Sequence, residues 1–434
     1  MPALPETPFP PRSRDDIAAI QRTRLKLAVE RAKTSRFFKG RLDNIRTDKL
    51  DDPAEWQKIP ILTKDELRAI PPAEFHDTFC IAPLNAAIEY WRSGGSTGRP
   101  LFYPRSAADL YYAMEGFRRL WLSAGCGPGD TALISFPLGI HPVGHLYART
   151  GEDLGIGTIW AGAGNSTPSE LQIELIQTLK PNVYAGMAGF ALQLAQVAER
   201  KGIDVSKLTV RKILTAAEPI SKAKREKIER IWNAELYDQF GCTEGSAMGS
   251  ESARHDGLHM WTDLFHIEVV DESTGKPVGA GEPGILVFTP LWNNTITPFL
   301  RWASGDIVTW HEPADGAGPL SVFPVIRHAA RTSGFFKVRG VNINHAEFED
   351  LMHRIPEVAD FLCEAVWTGT LDALKLSIEL RRGADDTVAR EHLLREVRTR
   401  FEITPEIAVI EAGAVERALS QQLKPQRIVD RRGP

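Results

Sequence analysis

Short apolar segments alternate with helical patterns from roughly residue 85 to 240, and this alternation restricts the possible folds more than any other feature. Apolar runs typical of buried strands lie at 131–136, 182–185 and 212–215. Periodic segments that predict helices lie between them, at 169–179 and 190–200. Strands that alternate with helices imply a mostly parallel sheet flanked by helices, which is the α/β class. Ligands of such sheets bind beyond the carboxyl ends of the strands.

The rest of the chain shows different patterns. Residues 15–45 predict a helix or a helical pair, because their apolar positions fall on one face. Residues 258–330 are rich in strand and turn signals, and an alternating strand at 374–380 belongs to a small α+β region. A chain of 434 residues is too long for one compact core. We therefore expect a large domain at 1–332 and a small C-terminal domain at 333–434.

Composition and charge argue against several function classes. The formal net charge of −4 offers no basic surface for nucleic acid, and no apolar run approaches the roughly 20 residues that span a bilayer. The four cysteines are far apart, which predicts a reduced, cytoplasmic protein without a disulfide framework or zinc knuckle. Residues 1–16 are polar and rich in proline, unlike a signal peptide. We expect neither nucleic acid nor a membrane as a partner.

The stretch Ser93–Pro100 contains three glycines, three hydroxyl side chains and the Arg99 cation within eight residues. Apolar runs on both sides predict a strand, a loop and a second strand. Such a loop can point backbone N–H groups at one spot and bind a polyphosphate, although Ser/Gly-rich segments are also common as plain surface turns. The stretch lacks the Walker pattern and no helix start follows it, which argues against a kinase-type P-loop.

Five motifs follow this loop in order, at 216–219, 237–244, 299–306, 331–342 and 424–430. Together with the loop, the series resembles the adenylate-forming acyl-CoA synthetase superfamily, and most of all its phenylacetate–CoA ligase branch. The segments Arg22–Leu25 and Ile61–Leu67 also fit that branch. The resemblance spans nearly the whole chain, and it depends on the order of motifs that are individually weak.

The resemblance implies a large adenylation domain with a β-rich subdomain, a small mobile C-terminal domain, and an AMP-forming ligase. In such a ligase a phenylacetate- or benzoate-like acid would attack the α-phosphate of MgATP and release pyrophosphate, and coenzyme A would then take up the acyl group and release AMP. Negative charge accumulates on the α-phosphoryl oxygens, so the enzyme must supply cations and hydrogen-bond donors there. The expected cofactors are ATP, Mg²⁺ and coenzyme A as co-substrate, and a homodimer is the default assembly.

The same resemblance implies roles for individual residues. In the catalytic set, Lys424 bridges the carboxylate and the α-phosphate, Glu244 holds Mg²⁺, and Thr243 donates to the α-phosphate. Phe240 stacks on adenine, and Asp306 accepts hydrogen bonds from both ribose hydroxyls. Arg331 is both catalytic and nucleotide-binding. The full nucleotide-binding set is Ser93, Gly94, Gly95, Ser96, Thr97, Gly98, Arg99, Ala217, Glu218, Pro219, Asp238, Phe240, Gly241, Asp306 and Arg331.

The acyl pocket and the path of coenzyme A are inferred by position. The pocket draws on Phe136, His141, Gly144, His145, Trp160, Ala161, Gly162, Met187, Ala188 and Gly189. This set is apolar and rich in glycine, which suits a flat aryl acid better than a sugar acid. Coenzyme A is expected to pass Lys337, Arg339 and Gly340 after the small domain swivels between the half-reactions.

Two departures from the branch leave other readings open. Leu423 replaces the glycine usual before the catalytic lysine, and Ser333–Gly334 replaces the aspartates of the usual hinge. One alternative is an adenylating enzyme that passes the acyl group to an amine or a carrier-protein thiol. A second alternative is an idle nucleotide-binding protein of the same fold, against which the presence of Glu244, Asp306, Arg331 and Lys424 together argues. Taken singly, Asp306 could be a turn residue, Glu244 a helix N-terminal charge and Phe240 a core residue.

Overall fold

The computed structural model describes residues 10–93, 99–164, 166–218, 220–313, 318–331, 335–338, 341–368, 372–419 and 426–432. Its α-helices are α1 (Arg14–Ala32), α2 (Pro53–Trp56), α3 (Lys64–Arg68), α4 (Phe75–Phe79), α5 (Ala107–Ser123), α6 (Pro142–Asp153), α7 (Ser169–Leu179), α8 (Ala188–Arg200), α9 (Lys222–Trp232), α10 (His345–Arg354), α11 (Asp386–Phe401) and α12 (Ala414–Leu419). Its strands are β1 (Glu89–Arg92), β2 (Phe102–Arg105), β3 (Thr131–Ile134), β4 (Gly157–Trp160), β5 (Val183–Ala185), β6 (Lys212–Ala216), β7 (Glu235–Cys242), β8 (Ser246–Ser250), β9 (Leu258–Met260), β10 (Phe265–Val270), β11 (Pro283–Pro290), β12 (Trp302–His311), β13 (Val325–Arg331), β14 (Phe335–Val338), β15 (Val341–Asn344), β16 (Val358–Trp367), β17 (Asp372–Leu380), β18 (Glu406–Ile410) and β19 (Ile428–Asp430).

Polar caps explain where two of the longer helices begin. Ser13 before α1 and Ser106 before α5 each accept a hydrogen bond from the backbone N–H three residues later, and an acidic side chain at that position bonds back to the cap. The predicted N-terminal helix is confirmed, but it ends at Ala32. The Ser35 hydroxyl then donates to the carbonyl of Phe79 at 2.9 Å, which anchors the chain beyond the helix. Among the described residues, no helix is both long and apolar enough to cross a membrane.

One compact unit, here called the first unit, comprises Met1–Gly129, Leu138–Gly157 and Tyr237–Arg331. Its strands follow the order β10-β11-β12-β13-β9-β8-β7, with antiparallel neighbours. The strands expected within residues 258–330 are therefore confirmed. A separate antiparallel pair, β1 and β2, flanks the Ser/Gly-rich loop on its two sides, as the sequence predicts.

The second unit comprises Asp130–Pro137, Thr158–Leu236 and Thr332–Pro434. Its strands include the order β6-β5-β3-β4, with parallel pairing of β3, β5 and β6. The predicted strands of this region are present, and α7 and α8 lie between them in sequence where helices were expected. The α/β class is therefore confirmed.

The C-terminal part of the second unit has a hydrophobic core of its own. The sheet β18-β17-β16-β19 and the helices α10 and α11 contribute fully buried side chains such as Phe348, Cys363 and Leu393. The predicted α+β pattern is thus confirmed. The boundary predicted at Ser333–Gly334 lies outside the described residues, and the division of the chain at that point stays a prediction.

Candidate active site

The turn between β7 and β8 carries Thr243 and Glu244, two of the predicted catalytic residues. The register of the two strands shifts between Phe240 and Gly241, which indicates a bulge. A side chain at Gly241 would place its Cβ 2.4 Å from the backbone oxygen of Ser246, so only glycine fits this close approach. The bulge therefore fixes the backbone that leads into the turn that carries Thr243 and Glu244.

The Glu244 carboxylate is buried, with 5% exposure. Its Oε1 accepts a hydrogen bond from the Tyr103 hydroxyl at 2.9 Å, and the Lys64 ammonium lies 3.6 Å from the same oxygen. Burial raises the pKa of Tyr103 well above its ordinary value of 10, and Glu244 raises it further, so the phenol stays a donor. No hydrogen bond from the described residues reaches Oε2. Tyr103 thus holds one oxygen of the Glu244 carboxylate, with Lys64 beside it.

Arg105, fully buried on β2, holds the backbone of the same turn. Its Nη2 donates to the carbonyl oxygens of Thr243 and Glu244 at 2.8 and 2.9 Å, and its Nη1 donates to the Thr297 hydroxyl at 3.0 Å. A guanidinium presents its donors in a rigid fork, so it fixes several acceptors together. Sequence reasoning missed Tyr103 and Arg105. They could have been found from their positions, because residues two apart lie on the same face of a strand, and this strand follows the predicted phosphate loop.

The two described ends of the Ser/Gly-rich loop make local contacts. Ser93 is 1% exposed, and its hydroxyl accepts a hydrogen bond from the N–H of Leu101 at 2.9 Å. Arg99 Nη2 donates to the carbonyl oxygens of Arg68 and Ile70 at 2.8 and 2.9 Å. Both side chains therefore support the base of the loop. The predicted phosphate-binding residues Gly94, Gly95, Ser96, Thr97 and Gly98 lie outside the described residues.

Other predicted nucleotide-binding residues of the first unit lie on strands β7, β12 and β13. Asp306 is 5% exposed, and its backbone on β12 lies opposite that of Arg331 on β13. The Phe240 ring lies 5.3 Å from the ring of His328, also on β13. The Asp238 carboxylate accepts a hydrogen bond from the N–H of the next residue at 2.9 Å. Phe240 is thus a buried aromatic residue beside a second ring, and its contact with adenine stays a prediction.

The predicted ligand loop of the second unit follows β6. Ala217 has a left-handed backbone conformation, with φ of 74°, which is strained for a residue that carries a Cβ. The Glu218 carboxylate accepts hydrogen bonds from the N–H of Gly189 and from the Lys224 ammonium, the latter at 3.2 Å. A predicted nucleotide-binding residue is therefore bonded to a predicted acyl-pocket residue. Pro219 lies outside the described residues.

The remaining predicted acyl-pocket residues are divided between the units. His141, Gly144 and His145 belong to the first unit, and the second holds Phe136, Trp160, Ala161, Gly162, Met187 and Ala188. In the second unit, Gln172 accepts a hydrogen bond from the Ser135 hydroxyl at 2.7 Å and donates to the carbonyl of Gly162 at 3.0 Å. This amide joins the segments that follow β3 and β4.

The predicted residues of the C-terminal part are only partly described. Lys424, Arg339 and Gly340 lie outside the described residues. Lys337 lies on β14, where its backbone pairs with that of Asn342. The catalytic role of Lys424 and the path of coenzyme A therefore stay predictions.

Comparison with known proteins identifies the family of the chain. The model of AMP-binding enzymes matches residues 76–290, and the model of the AMP-binding enzyme C-terminal domain matches residues 340–432. The chain belongs to the AMP-binding enzyme family. The first match includes the Ser/Gly-rich loop and the Glu244 turn, and the second includes Lys424.

Curated relatives and solved structures agree with the family. The phenylacetate-coenzyme A ligase of Aromatoleum evansii is 27% identical over 441 residues, which cover 98% of this chain and 97% of the relative. That of Escherichia coli K12 is 26% identical over 425 residues, covering 95% and 94%. The crystal structure of 2-hydroxyisobutyryl-CoA ligase in complex with R3-HIB-AMP has a TM-score of 0.84 at 21% identity, covering 99% and 94% of the two chains.

The expected resemblance and the expected enzyme class are therefore confirmed. This AMP-binding enzyme is an adenylate-forming acid–thiol ligase, a class that uses ATP and coenzyme A. The buried Glu244 turn is in keeping with this class, because the reaction needs ordered charges around a nucleotide phosphate.

Proposed function

We propose that this AMP-binding enzyme activates an aromatic carboxylic acid of the phenylacetate or benzoate type and transfers the acyl group to coenzyme A. The phenylacetate-coenzyme A ligase relatives support the choice of acid. So does the apolar, glycine-rich character of the predicted pocket residues. The observation that carries the proposal is the Glu244 turn, whose carboxylate is held by Tyr103 and whose backbone is held by Arg105.

The proposed chemistry is the attack of a carboxylate oxygen on the α-phosphorus of ATP. A bond forms between that oxygen and phosphorus, the bond to pyrophosphate breaks, and negative charge grows on the α-phosphoryl oxygens. Thr243 donates a hydrogen bond to these oxygens, and Lys424 and Arg331 supply positive charge. No covalent nucleophile from the protein is required, so catalysis depends on positioning and electrostatics.

The Glu244 turn also fits a magnesium ion. Mg²⁺ is commonly bound through one or two carboxylates together with substrate phosphates. Glu244 can offer Oε2 while Tyr103 holds Oε1, so we assign Glu244 as the protein residue that holds the ion. When bound, Mg²⁺ would neutralise part of the phosphate charge.

We further propose that residues 1–332 and 333–434 act as separate domains, with the smaller one carrying Lys424. The C-terminal part has its own hydrophobic core, and a separate family model matches residues 340–432. In this proposal the small domain presents Lys424 during adenylation and the segment 337–340 during thioester formation.

The test is to incubate the enzyme with MgATP and a panel of aryl acids, with and without coenzyme A. We expect coenzyme A to stimulate AMP release, and we expect mass spectrometry to detect an aryl-CoA thioester. If amines stimulate acid-dependent AMP release and coenzyme A does not, the result would favour an amine as the acyl acceptor. Activity with short aliphatic acids alone would contradict the aromatic assignment.

A further inference from the structure

Lys224 on α9 is a buried cation that the chemistry above does not use. Its side chain is 1% exposed, and its Nζ lies 3.2 Å from Glu218 Oε2 and 2.9 Å from Glu349 Oε1. Glu218 belongs to the predicted nucleotide loop after β6, whereas Glu349 lies on α10. One ammonium group therefore joins the nucleotide loop to the C-terminal part within the second unit.

Neighbouring groups reinforce this junction. Asp350 on α10 accepts a hydrogen bond from the N–H of Ala223 at 3.2 Å, next to the N-terminus of α9. His353 Nε2 lies 3.4 Å from the Glu349 carboxylate. Burial raises the pKa of Glu349, but Lys224 and His353 lower it by more, so it lies well below its ordinary value. The contact between Lys224 and Glu349 is thus an ion pair between charged groups.

A second ion pair lies close to the same loop. Arg427, three residues after Lys424, donates to both carboxylate oxygens of Asp360 at 2.7 and 3.0 Å, and both partners are buried. The position that a Cβ on Gly189 would occupy is 3.2 Å from Arg427 Nη1 and 3.3 Å from Glu218 Oε2. The Arg427 guanidinium and the Glu218 carboxylate therefore both lie beside Gly189.

Breaking one partner of a buried ion pair leaves the other charge uncompensated, which is far less favourable than leaving the pair intact. These contacts therefore favour an arrangement in which α10 lies against α9. Within the described part of the chain, Glu218 is the residue with a predicted role in the reaction that Lys224 contacts. Its effect on catalysis must pass through the residues it positions.

We propose that Lys224 is a positioning residue for adenylation, because it holds Glu349 against the Glu218 loop and keeps the C-terminal part in the arrangement used for that half-reaction. The pair must then separate before thioester formation. This inference rests on the proposed function. It adds a residue that is needed for adenylation but not for thioester formation.

The test compares Glu349→Gln with Glu347→Gln, an exposed residue on the same helix. Coupling between two sites typically changes an equilibrium by about 5- to 150-fold, so we expect acid-dependent ATP–pyrophosphate exchange to fall about tenfold in Glu349→Gln alone. Thioester formation from supplied acyl-adenylate and coenzyme A should be unchanged or faster. Equal losses in both half-reactions, or none in either, would overturn the proposal.

Lys224 itself gives a second comparison. Lys224→Met should reproduce the selective loss of exchange, whereas Lys224→Arg, which keeps the charge, should restore much of it. Combining Lys224→Met with Glu349→Gln should add little to either single change, since both remove the same pair. Additive losses would contradict a shared role.

Hydrogen exchange separates this inference from the proposed function. Backbone amides of α10 should exchange faster in Glu349→Gln than in Glu347→Gln, whatever the enzyme catalyses. Equal exchange in the two variants would refute the junction even if the wild type is an active ligase. A wild type without either half-reaction would refute the proposed function, and the exchange comparison would still decide whether the ion pair holds α10.

Discussion

Glu244 depends on neighbours that lie far from it in sequence. Its carboxylate is held by Tyr103 and approached by Lys64, and the carbonyl of its turn is held by Arg105. Replacing a group that orients a metal-binding side chain typically lowers metal affinity or activity by about 10- to 100-fold. The consequences can be measured one residue at a time.

Replacing Tyr103 with Phe removes one hydroxyl and leaves the buried ring in place. Because Glu244 Oε1 then loses its donor, we expect kcat/KM for MgATP in pyrophosphate exchange to fall about tenfold, the lower end of the range for orienting partners. The matched control is Tyr111→Phe, since Tyr111 is 45% exposed. Equal kcat/KM values in the two variants would show that the hydroxyl does not orient Glu244.

Replacing Arg105 with Lys keeps the positive charge but loses the planar fork. At least one of the carbonyl oxygens of Thr243 and Glu244 should then lose its donor, and an unpaired buried polar group costs about 1–3 kcal/mol. We expect a lower melting temperature in a thermal scan. Arg92→Lys, on the partly exposed strand β1, is the control and should leave the melting temperature nearly unchanged. A melting temperature for Arg105→Lys equal to that of the wild type would contradict this account.

At the scale of elements, α9 carries a second buried lysine whose charge is poorly compensated. Burial, with a further contribution from Arg381, lowers the pKa of Lys227 from 10.5 to about 8, and Asp360 offsets only part of this. The Lys227 ammonium lies 3.3 Å from the carbonyl of Ala359. Between pH about 8 and 10.5, Lys227 is therefore protonated in the unfolded state and largely neutral in the folded state. The free energy of unfolding consequently rises with pH across this range.

Lys227→Met should consequently raise the melting temperature at pH 7, and the advantage over the wild type should shrink as the pH rises from about 8 towards 10.5. Thermal scans at matched ionic strength measure both. Lys222→Met, on the same helix with its side chain 83% exposed, should show no such trend. A constant difference between Lys227→Met and wild type at all pH values would mean that Lys227 does not titrate abnormally.

The sequence predicted elements better than it predicted contacts. Buried strands such as β5 and amphipathic helices such as α7 have a local periodicity that reports their type directly. The end of α1 at Ala32 was missed, because helical patterning weakens gradually and gives poor boundaries. The contacts of Arg105 and Lys224 were missed because Thr243 and Glu349, with which they bond, lie more than 100 residues away in sequence. No local sequence pattern encodes such a pairing.

Across the whole molecule, the two proposed half-reactions use alternative arrangements of the C-terminal part. Lys424→Ala should abolish acid-dependent exchange while sparing thioester formation from supplied acyl-adenylate, because in the proposed mechanism the lysine acts on the carboxylate and α-phosphate only in the first step. Lys375→Ala, an exposed lysine on β17, is the control. Loss of both half-reactions, or of neither, in Lys424→Ala would contradict the division of labour.

The most direct test of the central claim is ATP–pyrophosphate exchange by the wild type and by Glu244→Gln, each with and without an aryl acid such as phenylacetate or benzoate. We expect exchange in the wild type that requires both the acid and Mg²⁺, and a loss of at least about a hundredfold in Glu244→Gln. Wild-type exchange that does not need a carboxylic acid, or a Glu244→Gln variant as active as the wild type, would contradict it.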